Sequence, residues 1–160
     1  MIDPRRCNIA VDANAYDHSD DAQRRLVERF RALVDKELIS APIAPRGVLE
    51  EIQHPNTPGA VRGAMAGGLF SRQVGLNRDE LARIQRLRVL LKGNGKSDQH
   101  NADAGHVFEA AKYGAYFITH DGRLRRKAKE IDEIVGPALQ IVTLAEFLTI
   151  YDRFEELRPR

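Results

Sequence analysis

Short apolar runs alternate along the chain with longer segments in which apolar residues recur every three or four positions. Four of the runs are predicted to be strands, at residues 7–12, 38–44, 115–119 and 139–143. Strands that alternate with helices favour a parallel sheet with helices on both of its faces. A chain of 160 residues, of which 42% are hydrophobic, fits one such domain. We therefore predict a single α/β domain spanning residues 1–160.

The segments between and after these runs carry the signals that start and stop helices. Two of them open with predicted capping boxes, Asp20 with Gln23 and Asn77 with Glu80. Residues 56–75 are rich in glycine and are predicted to form a loose loop or a poor helix. The predicted helices span residues 20–38, 45–53, 77–91, 102–114, 122–134 and 144–154.

Positive charge is concentrated in a basic, partly helical segment at about residues 55–97, where eight lysines and arginines stand against two acids. The apolar stripe of its helix is predicted to pack on the domain and to leave arginines on the exposed flank. This surface favours binding of a polyanion, and a solvated helix face is the alternative. The predicted stripe is Leu81, Ile84, Leu87 and Leu91. The candidate cations are Arg83, Arg86 and Arg88.

The sequence contains no membrane or secretion signal. No run approaches the roughly 18 apolar residues that a membrane span needs, and the first residues lack a secretory signal. We therefore expect a cytoplasmic protein that does not enter the membrane. Cys7 is the only cysteine, so an intramolecular disulfide is excluded, and its place in an apolar run predicts a small core residue.

Acidic side chains occupy the places where an α/β sheet usually carries its functional site, beyond the carboxyl ends of the strands. Asp12 closes the first predicted strand, and Asp121 follows the third. Asp103 lies in the first turn of its helix, on the flank of the apolar face. In the helix at 45–53, Glu51 lies nearer the apolar face than Glu50. Four carboxylates are therefore predicted to converge.

Convergent carboxylates raise one another's pKa values unless a cation shares the site. Mg²⁺ and Mn²⁺ prefer carboxylate oxygens and keep coordination positions for a phosphate. We therefore predict a magnesium or manganese site. For each acid a structural role stays open, as a helix cap, a turn residue or a solvated charge. The candidate ligands are Asp12, Glu51, Asp103 and Asp121.

Other polar residues surround the acids. The histidines lack zinc-type pairing; His106 is predicted to lie on the outer helix face, whereas His120 is a candidate phosphate contact. A second basic group follows Asp121 and could bind a polyanion, with a solvated helix face again the alternative. Its candidate members are Arg123, Arg125 and Arg126.

Three stretches resemble, in order and spacing, the motifs of the PIN-domain family. "VDANAYD" is similar to the opening Asp-x-Asn of that family, and "VLEEIQ" is similar to its apolar-x-Glu-apolar helix. The closest match is "NADAGHVFEAAKYGAYFITHD", in which an Asp opens a helix and Thr-x-Asp follows the next strand. Members are metal-dependent nucleases and include the VapC-like toxins of toxin-antitoxin pairs.

The resemblance implies a three-layer sandwich with a central, mostly parallel sheet. It implies that the four acids bind Mg or Mn, supported by Asn14 and Thr119, and that the substrate is RNA cleaved to leave a 5′-phosphate. An antitoxin protein and a second copy of the chain are the partners to be considered. Many relatives carry a further acid two residues after the last Asp, where this chain has Arg123.

Two other classes of protein remain open. A phosphatase of the haloacid dehalogenase type would also use an Asp after the first strand, but its Asp-x-Asp motif is Asp12-x-Asn14 here. A PIN-like module that binds RNA or scaffolds without catalysis would be expected to lack one or more of the acids.

Overall fold

A computed structural model of the chain describes residues 1–17, 20–40, 76–93 and 99–158. Most of the second predicted strand, the predicted helix at 45–53 with Glu51, and the glycine-rich segment lie outside the described residues. Residues 38–40, the part of the second predicted strand that is described, do not form a strand. The chain turns there, with Glu37 at a positive φ of 54° and the Leu38 amide donating to the Leu33 carbonyl.

Three parallel strands form the sheet in the described part of the chain. They are β1 (Ile9–Val11), β2 (Tyr116–Ile118) and β3 (Gln140–Val142), and β2 lies in the centre. Val11 pairs with Ile118, and Ile118 pairs with Val142. The predictions of strands at 7–12, 115–119 and 139–143 are confirmed, with shorter ends. The chain has a mixed α/β fold.

Six α-helices lie in the ranges that the structure describes, and they follow the predicted segments closely. The segment at 122–134 is two helices rather than one, because the chain leaves the helical path at Lys127. Short 3₁₀ helices span Pro4–Arg6 and Ala13–Tyr16. The α-helices are α1 (Asp21–Asp35), α2 (Arg78–Lys92), α3 (Gln99–Tyr113), α4 (Gly122–Arg126), α5 (Ala128–Val135) and α6 (Leu144–Glu156).

Helices pack on both faces of the sheet, and the alternation of side chains along the strands divides the core between them. Ile9 and Val11 face α1 and α6, where Phe30 and Phe147 pack with their ring centroids 5.7 Å apart. Ala10, on the opposite face, belongs to a second cluster built by α2, α3 and α5. None of the described helices has the length and apolar character required to cross a membrane.

Helix α2 begins with the predicted capping box, since Asn77 accepts from the Glu80 amide and Glu80 accepts from the Asn77 amide. Three residues of its predicted stripe, Ile84, Leu87 and Leu91, are buried. The prediction for the fourth, Leu81, is wrong, because 54% of this residue is exposed. At 100° per residue, Leu81 lies roughly 120° from Leu87 around the helix and therefore misses the packed face.

Candidate active site

The ends of β1 and β2 place two of the predicted site residues side by side. The Asp12 amide donates to the Ile118 carbonyl over 2.9 Å, and the Thr119 amide donates to the Val142 carbonyl over 2.9 Å. Each bond extends the parallel ladder by one step beyond the last strand residue. The sheet therefore fixes the backbones of Asp12 and Thr119 at the same edge.

A network of short hydrogen bonds surrounds the Asp12 carboxylate. Its Oδ2 accepts from the Thr119 hydroxyl over 2.7 Å and from the Asn14 side-chain amide over 2.8 Å. The Asn14 Oδ1 accepts from the His120 backbone amide, and the fully buried Thr119 hydroxyl oxygen accepts from the Asp121 amide over 3.1 Å. The residues predicted to support the site, Asn14 and Thr119, thus both contact Asp12.

The pKa of the Asp12 carboxyl is perturbed by its surroundings. Burial raises the pKa of this carboxyl above its usual value, and the negative charge of Asp103 acts in the same direction. The Thr119 hydrogen bond and the electrostatic effect of His106 oppose the rise without cancelling it. The ionised form of Asp12 is therefore short of compensating positive charge.

Asp121 performs a structural task at the start of α4. Its Oδ1 accepts from the Arg123 amide over 2.7 Å and from the Leu124 amide over 3.4 Å, so the carboxylate caps the helix. The alternative of a structural role, which the sequence left open, is therefore realised for this acid. The other carboxylate oxygen of Asp121, Oδ2, accepts from the Arg123 guanidinium.

The Arg123 guanidinium bridges two of the predicted ligands. Its Nη2 atom lies 2.6 Å from Asp103 Oδ2 and 2.8 Å from Asp121 Oδ2. Burial acts to raise the pKa of Asp121, but hydrogen bonds and the charge of Arg123 outweigh it and lower that pKa. Arg123 was predicted to bind substrate, and the structure places it among the acids themselves.

The described acids are of the type that binds Mg²⁺ or Mn²⁺, since all offer carboxylate oxygens at one edge of the sheet. In the described ranges, however, no three His, Cys, Asp or Glu side chains lie close enough together to hold a metal ion. The fourth predicted ligand, Glu51, lies outside those ranges. The donor type is the one that a hard divalent cation prefers, but the described residues alone do not form a metal site, and Arg123 takes the cationic position between Asp103 and Asp121.

His106 is buried, with 4% of the residue exposed, so the prediction that it lies on the outer face of α3 is wrong. The face of α3 that packs against the sheet and α2 is wider than the sequence stripe suggested. Asp103 and His106 are three residues apart and share one side of the helix. That spacing was the signal in the sequence that could have placed His106 near the acids.

A cavity of about 440 Å³ opens beside Asp121 on the side facing α1. His120 lies at its wall, and its Nε2 atom accepts from the Gln23 side chain over 2.9 Å. Gln23 also donates to the Ala15 carbonyl, so its side chain links α1 to the acidic edge. The sequence predicted Gln23 only as part of a helix cap. The lining residues are Asn14, Asp17, Asp20, Gln23, His120 and Asp121.

The candidate cations of α2 are exposed, but they differ in their distance from the acids. Helices α2 and α3 run antiparallel, since Glu80 near the start of α2 is ion-paired with Lys112 near the end of α3. Arg83 lies only one turn beyond Glu80 and is therefore near the Lys112 end of α3. Asp103 lies nine residues before Lys112, which is about 13 Å along the helix axis, so Arg83 is distant from the acids. Arg86 lies one turn closer to the acidic edge than Arg83 does.

The two remaining predicted cations lie on α4. The Arg125 guanidinium donates to Glu146 at the start of α6 over 2.6 Å, so it links two helices. Arg126 is exposed to solvent. A role of either residue in substrate binding stays a prediction.

No protein-family model, no curated protein and no solved structure matches the chain. The resemblance to PIN domains therefore depends on the sequence motifs alone.

Proposed function

We propose that the chain is a PIN-type ribonuclease that hydrolyses RNA phosphodiester bonds with Mg or Mn held at its acidic site. The observation that carries this proposal is the contact of Asp12 with Thr119 and Asn14 at the carboxyl edge of two adjacent parallel strands. Asp121 and Asp103 lie around the same edge. Glu51 is the fourth proposed ligand.

The electrostatics of Asp12 support a cationic partner. Its pKa is raised chiefly by burial, and Asp103 raises it further, so a positive charge beside it would relieve both effects. A bound divalent cation would supply charge neutralisation at the phosphate and an activated water for hydrolysis.

The surrounding residues hold the acids in place. Thr119 donates to Asp12 and accepts from the Asp121 amide, so one buried hydroxyl sets the spacing between two acids. Asn14 orients the same Asp12 oxygen while its carbonyl is fixed by the His120 amide. A site whose groups are oriented before the ligand arrives needs little reorganisation when it binds.

The resemblance extends this proposal to the biological role. A VapC-like toxin would be held inactive by an antitoxin protein, and a homodimer is a further expectation. The exposed Arg126 and the arginines of α2 are the proposed contacts with the RNA backbone. They would increase the affinity for RNA by counterion release.

The proposal is tested with purified protein, a labelled RNA and a choice of Mg²⁺, Mn²⁺ or EDTA. We expect cleavage with either metal and none in EDTA, and we expect Asp12→Asn to abolish it. Asp35→Asn is the matched control, because this exposed carboxylate lies at the far end of α1. Metal-dependent cleavage that persists undiminished in Asp12→Asn would refute the assignment.

A second candidate function is a PIN-like module that binds RNA without cleaving it. The bridge from Arg123 to Asp103 and Asp121 favours this alternative, because it satisfies two acids without a metal. The discriminating measurement is calorimetric titration with Mn²⁺. A non-catalytic module should bind RNA in EDTA and show no Mn²⁺ binding.

A further inference from the structure

We propose that Arg123 is an internal counter-cation of the acidic site, which holds Asp103 and Asp121 in the metal-free protein and is displaced from them by a divalent cation. This inference rests on the proposed function, because it concerns the same metal site. It assigns Arg123 a positioning and regulatory role in place of direct binding to substrate.

The geometry shows that Arg123 contacts two of the proposed ligands at once. A single nitrogen, Nη2, lies within 2.8 Å of both Asp103 Oδ2 and Asp121 Oδ2. Asp103 lies in α3, whereas Asp121 caps α4 and Arg123 lies within α4, so the guanidinium joins the two helices at the acidic edge. Without it, two carboxylates close enough to share one nitrogen would repel each other.

A divalent cation bound between the two carboxylates would use the same oxygen atoms. A guanidinium and a dication also repel each other, so both cannot hold these oxygens at once. Metal binding between these carboxylates would therefore break the two contacts of Arg123, and the metal affinity would include the free energy of breaking them.

Two features of the described surroundings are compatible with this displacement. The Arg123 side chain is 30% exposed, so its guanidinium has a path to solvent. Its backbone amide donates to Asp121 Oδ1, whereas the guanidinium contacts Oδ2. Rotation of the side chain therefore leaves the cap of α4 in place, and Asp121 keeps one oxygen for the helix while it releases the other.

The test is a pair of measurements on Arg123→Gln, which removes the charge. The first is the melting temperature in EDTA, which we expect to fall because Asp103 and Asp121 lose their shared partner. The second is Mn²⁺ affinity by calorimetry, which we expect to rise at least about tenfold, since the competing charge next to a dication is gone. Arg153→Gln removes an exposed charge on α6 and should change neither quantity.

Arg123→Lys provides the second variant. Its ammonium keeps the charge but is a single compact donor group, so its Mn²⁺ affinity should lie between wild type and Arg123→Gln. If Arg123→Gln does not fold, Arg123→Lys decides: an affinity above wild type supports the inference, and one equal to or below wild type overturns it.

The outcomes separate this inference from the proposed function. Wild-type protein that binds Mn²⁺ while Arg123→Gln binds it equally or more weakly would overturn the counter-cation role and leave the metal site standing. If neither protein binds Mn²⁺, the metal site itself is wrong and displacement falls with it. A metal-free melting temperature that does not fall in Arg123→Gln would overturn the role of Arg123 in holding the two acids.

Discussion

At Gly114 a side chain would collide with the backbone that connects α3, β1 and β2, the elements that position the acids. Gly114 follows α3 and precedes β2, and its amide donates to the Ala110 carbonyl. A Cβ added here would lie 2.8 Å from the Asn8 carbonyl oxygen and 3.1 Å from the Ala110 carbonyl oxygen. The Asn8 carbonyl also accepts from the Ala115 amide over 3.0 Å, at the start of the pairing between β1 and β2.

Gly114→Ala should therefore destabilise the protein. Both close contacts are with backbone atoms, so the relief must come from a shift of the chain, and overpacking of this kind costs about 1–3 kcal/mol. Weakening the hydrogen bond from Ala115 to Asn8 adds about 1 kcal/mol. The lower entropy of the unfolded alanine chain offsets about 0.5–1 kcal/mol. The expected net loss is about 2 kcal/mol.

Gly105→Ala is the matched control, because Gly105 lies inside α3, the helix that Gly114 follows. An added Cβ there meets no atom within 4 Å, and the helix interior favours alanine over glycine by about 1 kcal/mol. Urea unfolding followed by circular dichroism should give a lower free energy of unfolding for Gly114→Ala and an equal or higher one for Gly105→Ala. A Gly114→Ala protein as stable as wild type would refute the close approach of α3 and β1.

Two further predictions concern the site and the core. Because burial raises the folded-state pKa of Asp12, the contribution of this residue to stability should fall as pH rises from the unfolded-state value of about 3.9 through the raised folded value. In EDTA, Asp12→Asn should thus be more stable than wild type at pH 7, and urea unfolding should show that this difference vanishes below about pH 4. Leu87→Ala should lose about 3 kcal/mol in the same assay, because Leu87 is fully buried, whereas the exposed Leu81→Ala should lose less than about 0.5 kcal/mol.

The fold was predictable where local signals and burial agree. The strands β1 and β2 are buried at every position, and α2 begins at the capping box formed by Asn77 and Glu80. The errors arose where tertiary contacts decide. Leu81 satisfies helical spacing but misses the packed face. The predicted helix at 122–134 is interrupted at Lys127, whose ammonium donates to the Leu90 carbonyl of α2.

The site was predictable to the level of the sheet edge. Parallel strands end at a common edge, so Asp12 and Thr119 had to lie near each other once the three strands were assigned. The contact of Arg123 with Asp103 was not predictable in this way, because it joins side chains of two helices whose relative position depends on packing. The local part of the signal was present, since a cation two residues after a helix-capping Asp lies within reach of its carboxylate.

Asp12 and Asp121 were predicted to share one role, yet their electrostatic contributions to folding have opposite signs. The pKa of Asp121 is lowered, so its ionised form stabilises the fold above the unfolded-state pKa, and this contribution is lost as pH falls through the folded value. The pKa of Asp12 is raised, so its charge opposes folding at neutral pH. Loss of activity in Asp121→Asn would therefore mix the loss of a helix cap with the loss of a ligand. A variant of Asp12 removes a charge that destabilises the metal-free fold, so loss of activity in a more stable protein would point to chemistry at this carboxylate.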